Sequence, residues 1–311
     1  MADATTATMP TLPGGPHFAM GGGVFGNLQP EDVALVAALD FPGIEPYRGM
    51  IMPYVERSQE LKALLDRHGL AMATCSNGGP GQSTDFIDPA ARQQTIDDHV
   101  AFARDFLVLF GCTHFKINMG ERPPQGPTDA DLQAIAGTLN ELGRRTTEYG
   151  IRLAPHPHIW GPIERPEEIR RLLALTDPQY VSLTLDTAHI LLGGGDPMEF
   201  LDAHADRIVA LHWKDAKASY RGYTGATPSR EMHAEEILYK DLGVGGVDIP
   251  AVWRWVQERG YRYWITLDLD PPRPNEGEGS VEEKLQINRR YLFEFPLLAS
   301  LASLAVHSRR V

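Results

Sequence analysis

Cysteine is almost absent: Cys75 and Cys112 are the only two in 311 residues. They lie on separate predicted elements without metal-site spacing. That excludes a disulfide scaffold or a zinc finger and points to a reduced, cytoplasmic protein. Basic residues are also short, 29 Lys and Arg against 41 Asp and Glu, leaving a formal charge of −12. Binding to a nucleic-acid backbone or an anionic membrane needs clustered positive charge, so neither partner is expected. No apolar run approaches the roughly 18 residues of a membrane span. The opening MADATTATMPTLPGGP has no basic or apolar signal region, and residues 1–16 read as a flexible leader. Hydrophobic residues, by contrast, make up 42% of the chain, ample for one large core.

Eight strand-like segments alternate with helix-like ones. The strands are HFAMGGG (His17–Gly23), FPGIEPYRG, LAMATCSNGG, THFKINMG, IRLAPHPH, VSLTLDTAH, IVALHWKD and YWITLDLD. Between them lie segments of helical period, among them SQELKALLDRHG, which stops on Gly69, and PAARQQTIDDHVAFARDFLVLFG. TDADLQAIAGTLNELGRRTTEYG opens on Thr128 three residues before Asp131, a capping-box-like start. DPMEFLDAHA follows the sixth strand, PAVWRWVQERG the seventh, and a closing helix begins at Ser280. This alternation predicts an α/β fold, a (β/α)8 TIM barrel in a single domain over 17–300. Residues 218–247 form an insertion, glycine-rich at its end, that reads as a cover over the barrel mouth, and 301–311 a tail. Trp253 and Trp255, if exposed on their helix, would suit a contact in a homo-oligomer; otherwise they belong to the core.

The strand ends carry the chemistry. In four strands a small residue is followed, two positions on, by a ligand-grade side chain: Ala154 by His156, Thr184 by Asp186, Ala210 by His212, Thr266 by Asp268. Period two puts each pair on one strand face, with the polar member at the carboxyl end where barrel enzymes work. Taken singly, such residues read as buried hydrogen-bonding groups. Four in register predict one divalent cation, Mn first, with Co, Zn, Fe or Mg as alternatives. An open coordination position would capture a hydroxy-ketone. Candidate proton carriers are Lys116, His158, Glu45, Asp270 and Asp268; an amine beside a cation gives up its proton readily, which suits Lys116 to base work. Glu45, Asn77, Asn118, His189 and Lys214 are the candidate substrate contacts. Lys214 and Asp215 are expected to pair in support of His212. A His233/Glu235/Glu236 cluster marks the insertion.

From LALTDP through LTLDTAH, GGDPMEFLDAHADRI and ALHWKDAK, then LGVGGVDIP and GYRYWITLDLD, the chain resembles the xylose-isomerase-like barrels of sugar isomerases and epimerases. Within them it is similar to the inosose dehydratases. The resemblance implies metal ligands at the ends of strands five to eight, positions that match His156, Asp186, His212 and Asp268. Epimerases place a glutamate where His156 stands and a longer carboxylate where Asp268 stands, whereas the dehydratase branch carries a histidine cluster like HPH. The implied activity is a metal-dependent lyase or dehydratase acting on a keto-cyclitol or keto-sugar by α-proton abstraction and β-elimination. A ketose isomerase or 3-epimerase is the alternative. An apurinic-site endonuclease and a non-catalytic subunit are remote ones.

Overall fold

Strand β1 (His17–Gly21) pairs in parallel with β2 (Gly43–Glu45) on one side and β10 (Trp264–Leu267) on the other. From those neighbours the sheet continues to β3 (Ala71–Met72) beyond β2, and to β7 (Ile208–Trp213) and β6 (Leu183–Asp186) beyond β10. A second parallel pair joins β4 (His114–Ile117) to β5 (Arg152–Pro155), and a single bridge, Leu153 to Val181, ties β5 to β6. Where β3 meets β4 the Thr74 hydroxyl donates to the His114 carbonyl at 2.7 Å. The eight strands thus return on themselves as a barrel. The computed structural model describes residues 15–273, 277–292 and 294. The expected leader, but for residues 15 and 16, and the expected tail lie outside the described residues.

Ten α-helices lie within residues 15–273: α1 (Pro30–Ala38), α2 (Met52–Val55), α3 (Ser58–Arg67), α4 (Arg92–Asp105), α5 (Asp129–Thr147), α6 (Pro166–Leu175), α7 (Thr187–Leu192), α8 (Pro197–Ala203), α9 (Arg230–Glu235) and α10 (Ile249–Glu258). A further helix over 281–292 is started by Ser280, whose hydroxyl accepts from the Glu283 N–H. The capping box at Thr128 and Asp131 forms as expected. No helix among the described residues is long and apolar enough to cross a membrane.

Several elements differ from their sequence signals. The third strand is two residues long; its tail pairs again only at Ser76, where Asn77, Gly78 and Gly79 begin a turn, both glycines at positive φ. The long helical segment breaks at Phe106 into a short 3-10 turn, Leu107–Phe110, which ends on the left-handed Gly111. Helix α7 was not expected. Its N-cap is Asp186, whose Oδ1 accepts from the N–H groups of Ala188 and His189. Trp253 and Trp255 are not surface residues: both are buried on α10, Trp253 edge-on to Trp213 at 5.9 Å. They belong to the core because α10 is apolar on the face that covers the barrel.

The insertion leaves the barrel after β7 and returns as a hairpin. Strand β8 (Asp215–Ala216) pairs antiparallel with β9 (Tyr239–Lys240). Asp215 lies at its base, accepting from the N–H groups of Gly243, Gly245 and Val247. Packing there is tight: a Cβ at Gly245 would fall 2.1 Å from the Ala216 carbonyl oxygen.

Candidate functional site

Register places the candidate ligands. Asp186 on β6 is level with His212 on β7, and His212 is level with Thr266 on β10, so Asp268 emerges two residues higher. The four tips therefore do not share one level. His156 follows β5 directly and reaches the same space: its Nε2 is 3.8 Å from Asp186 Oδ2. His212 Nδ1 lies 3.7 Å from that oxygen and 3.4 Å from Asp268 Oδ2. Because α7 begins at Asp186, its first turn brings in a fifth group, His189, with Nε2 at 3.9 Å from the same oxygen. Two overlapping triads result, His156–Asp186–His212 and Asp186–His189–Asp268, each with its ligand atoms within 4.8 Å of one another.

Most of these separations are too long for hydrogen bonds. They resemble the edges of a coordination polyhedron, since ligands held at metal distance in a tetrahedron lie about 3.4 Å apart. Both nitrogens of His156, Oδ2 of Asp186 and Nε2 of His189 are buried without a hydrogen-bond partner among the described residues. Each such group costs on the order of 1–3 kcal/mol if left unmatched. A divalent cation would satisfy Asp186 Oδ2 and one of the two His156 nitrogens; the other His156 nitrogen and His189 Nε2 need partners of their own. The donor set, imidazole with carboxylate, fits a first-row metal.

Charge inside the site is divided. Burial, and after it the Asp268 carboxylate, pushes the Asp186 carboxyl above its ordinary range. Burial also opposes ionisation of Asp268, but Lys214 and then His212 outweigh it and hold that carboxyl well below the usual range. His156 and His189 are held well below the usual imidazole range, chiefly by burial. His212 goes the other way. Burial disfavours its charge, yet Glu45 overcomes this and raises it to about 9.

Glu45, expected at the substrate, is instead saturated. Its Oε1 accepts from His212 Nε2 at 2.9 Å and Lys116 Nζ at 2.8 Å, and its Oε2 accepts from the Thr266 hydroxyl. It addresses the His212 ring, leaving Nδ1 toward Asp186 and Asp268. Lys116 therefore meets a carboxylate before it meets open space. Asn77 is likewise committed, its amide bridging the Asn118 N–H and C=O and reaching His99 Nε2. Asn118 borders a cavity of about 60 Å³ that is also lined by Gly120, His156, His158, Trp160 and Arg230.

Lys214 does not pair with Asp215, which is spent on backbone N–H groups. Its ammonium donates to Asp270 at 2.7 Å and lies 3.4 Å from Asp268. Burial opposes ionisation of Asp270, but Lys214 outweighs it, lowering the carboxyl to about 2. His158 is lowered to about 3 by burial and by His156. Its Nδ1 faces the Ile159 carbonyl, which leaves Nε2 available as an acceptor. Of the insertion cluster, His233 reaches the mouth, with Nε2 3.5 Å from Asp270 Oδ2, whereas Glu236 pairs with Lys217. Arg273 donates to the His233 carbonyl. Tyr239 and Arg273 carried no sequence signal, because neither sits in a periodic element.

A family model described as "Xylose isomerase-like TIM barrel" matches residues 33–291. An inosose dehydratase of Lacticaseibacillus casei is 30% identical over 168 residues, covering 50% of this chain and 54% of that one. The rhizopine catabolism protein MocC of Rhizobium meliloti is 30% identical over 240 residues, 75% of this chain and 72% of its own. The chain thus spans about half the length of the inosose dehydratase it matches. Among solved structures, the IolI protein with a binding zinc atom superposes with a TM-score of 0.72 at 15% identity, over 90% of this chain and 97% of that one. A D-tagatose 3-epimerase-like protein gives 0.70 at 16%, over 92% and 99%.

Proposed function

The chain belongs to the xylose isomerase-like TIM barrel family, and from that premise we propose that it is a metal-dependent carbon–oxygen lyase, a dehydratase of a keto-cyclitol or keto-sugar. The carrying observation is the buried triad His156–Asp186–His212, its ligand atoms within 4.8 Å of one another, with Asp186 Oδ2 and His156 left without hydrogen-bond partners among the described residues. The inosose dehydratases among its relatives supply the substrate class. A divalent cation held by His156, Asp186, His212 and Asp268 supplies a Lewis-acidic centre for a ketone and its neighbouring hydroxyl.

The chain's own groups do the rest. His158, neutral and with its Nδ1 proton turned to the Ile159 carbonyl, takes the α-proton at Nε2. The negative charge that develops on the substrate as the proton leaves offsets the burial that weakens this base in the free protein. The electron pair of that C–H bond becomes a C=C bond as the β C–O bond breaks. The Lys214 ammonium, kept charged by Asp268 and Asp270 against the cost of its burial, gives a proton to the departing oxygen, which leaves as water. Asp270 orients Lys214. Lys116 and Glu45 hold His212 rather than the substrate.

The test is direct. Protein loaded with Mn, Co or Zn is incubated with 2-keto-inositol and with 3-keto-glucosides in deuterated water. Loss of water or aglycone is expected, and Asp186→Asn should abolish both metal uptake and turnover. Deuterium exchange without loss would make the enzyme an isomerase or epimerase. Failure of the wild-type protein to take up any of the three metals would end the reading.

A further inference from the structure

Tyr239 lies in the insertion, on the two-residue strand β9, yet only 6% of its surface is exposed. Pairing of β9 with β8 sets it opposite Ala216, two residues beyond Lys214. Three site side chains converge on it. Its hydroxyl oxygen is 3.3 Å from His189 Nδ1. The Lys214 ammonium stands 4.1 Å from its ring centroid. The rings of His189 and His233 meet it at 5.6 and 5.2 Å, both near edge-on.

Two roles are open to His189, and the position of one proton separates them. A neutral imidazole protonated on Nδ1 offers a lone pair at Nε2 and can ligate a cation. Protonated on Nε2, it is a hydrogen-bond donor there and cannot ligate. A buried phenol needs an acceptor for its proton, and among the described residues the acceptor its oxygen reaches is His189 Nδ1. Burial holds the Tyr239 hydroxyl well above its ordinary range, so it keeps that proton to give.

We propose that Tyr239 is a positioning residue: its hydroxyl donates to His189 Nδ1 and fixes the His189 proton on Nε2, so that His189 is a donor to a bound oxygen and not a metal ligand, while its ring face seats the Lys214 ammonium. The quadrupole of the ring attracts the ammonium on the side away from water. The insertion is then part of the site and more than a cover. That the bound oxygen belongs to a keto-sugar rests on the preceding subsection; the proton's position does not.

Full-length, metal-free protein labelled with 15N-histidine tests this by long-range 1H–15N correlation, with the His189 signals identified by their loss in His189→Gln. The expected pattern is an Nε2–H ring in the wild type that moves toward Nδ1–H in Tyr239→Phe. An Nδ1–H ring in the wild type, or an unchanged ring in Tyr239→Phe, overturns the proposal. A second arm needs no variant at Tyr239: His189→Gln should leave Mn affinity within about threefold, and a loss of tenfold or more, the scale of a missing ligand or of its orienting partner, overturns it. With a substrate in hand, Tyr239→Phe lowers turnover on the order of tenfold, and the same change adds nothing in the His189→Gln background. Additive losses would show Tyr239 acting elsewhere. Because the first two readouts use no substrate, failure of the lyase reading and failure of this one are distinguishable.

Discussion

Glu45 holds the candidate site together without touching open space. Burial raises the cost of its charge, but His212 and Lys116 more than offset this and keep its carboxyl well below the usual range. Its bond to His212 Nε2 leaves Nδ1 as the atom facing Asp186 and Asp268. A partner that orients a ligating imidazole typically contributes ten- to a hundredfold in metal affinity. Glu45→Gln should therefore weaken Mn or Co binding by about that factor in a chelator-competition titration, with far-UV circular dichroism unchanged. Unaltered affinity would mean that packing alone orients the ring. The ligand candidates were legible residue by residue, since each stands two positions beyond a small one on a strand face. The partners of Glu45 were not, because they are contributed by β4, β7 and β10.

At the scale of elements, α4 carries an acid-sensitive group beneath the third strand's turn. His99 is buried, its Nδ1 on the Thr95 carbonyl and its Nε2 on the Asn77 amide, and burial lowers it to about 4. An unfolded histidine titrates near 6.5. The unfolded chain thus binds this proton more readily between those values. The contribution is fully present above about pH 6.5 and lost as pH falls through about 4, on the order of 3 kcal/mol. Denaturant unfolding followed from pH 7 to 4 should show that loss in the wild type and a flatter pH dependence in His99→Gln. Equal slopes in the two proteins would assign the acid lability elsewhere. Helices with caps and period, such as α5, follow from local sequence. Helix α7 does not, because a six-residue helix has no period to read and its cap is a residue whose sequence signal is that of a ligand.

Across the whole molecule, the barrel has a seam between β3 and β4, where Thr74 Oγ1 to the His114 carbonyl stands in for strand pairing. Thr74→Val keeps the shape and removes the donor. Loss of about 1–3 kcal/mol in urea unfolding is expected, the cost of a buried acceptor left short of its partner. A variant as stable as the wild type would mean that apolar packing alone closes the barrel. The sequence by itself determined the barrel and the identity of its polar tips, because strand and helix periods are local and eight alternations leave few ways to bury both faces of a parallel sheet. Tertiary structure alone decided the short third strand, the burial of Trp253 and Trp255, the partners of Glu45 and Lys214, and the arrival of Tyr239. Those depend on which side chains meet across the barrel and on where the insertion lands, and neither leaves a period in the chain.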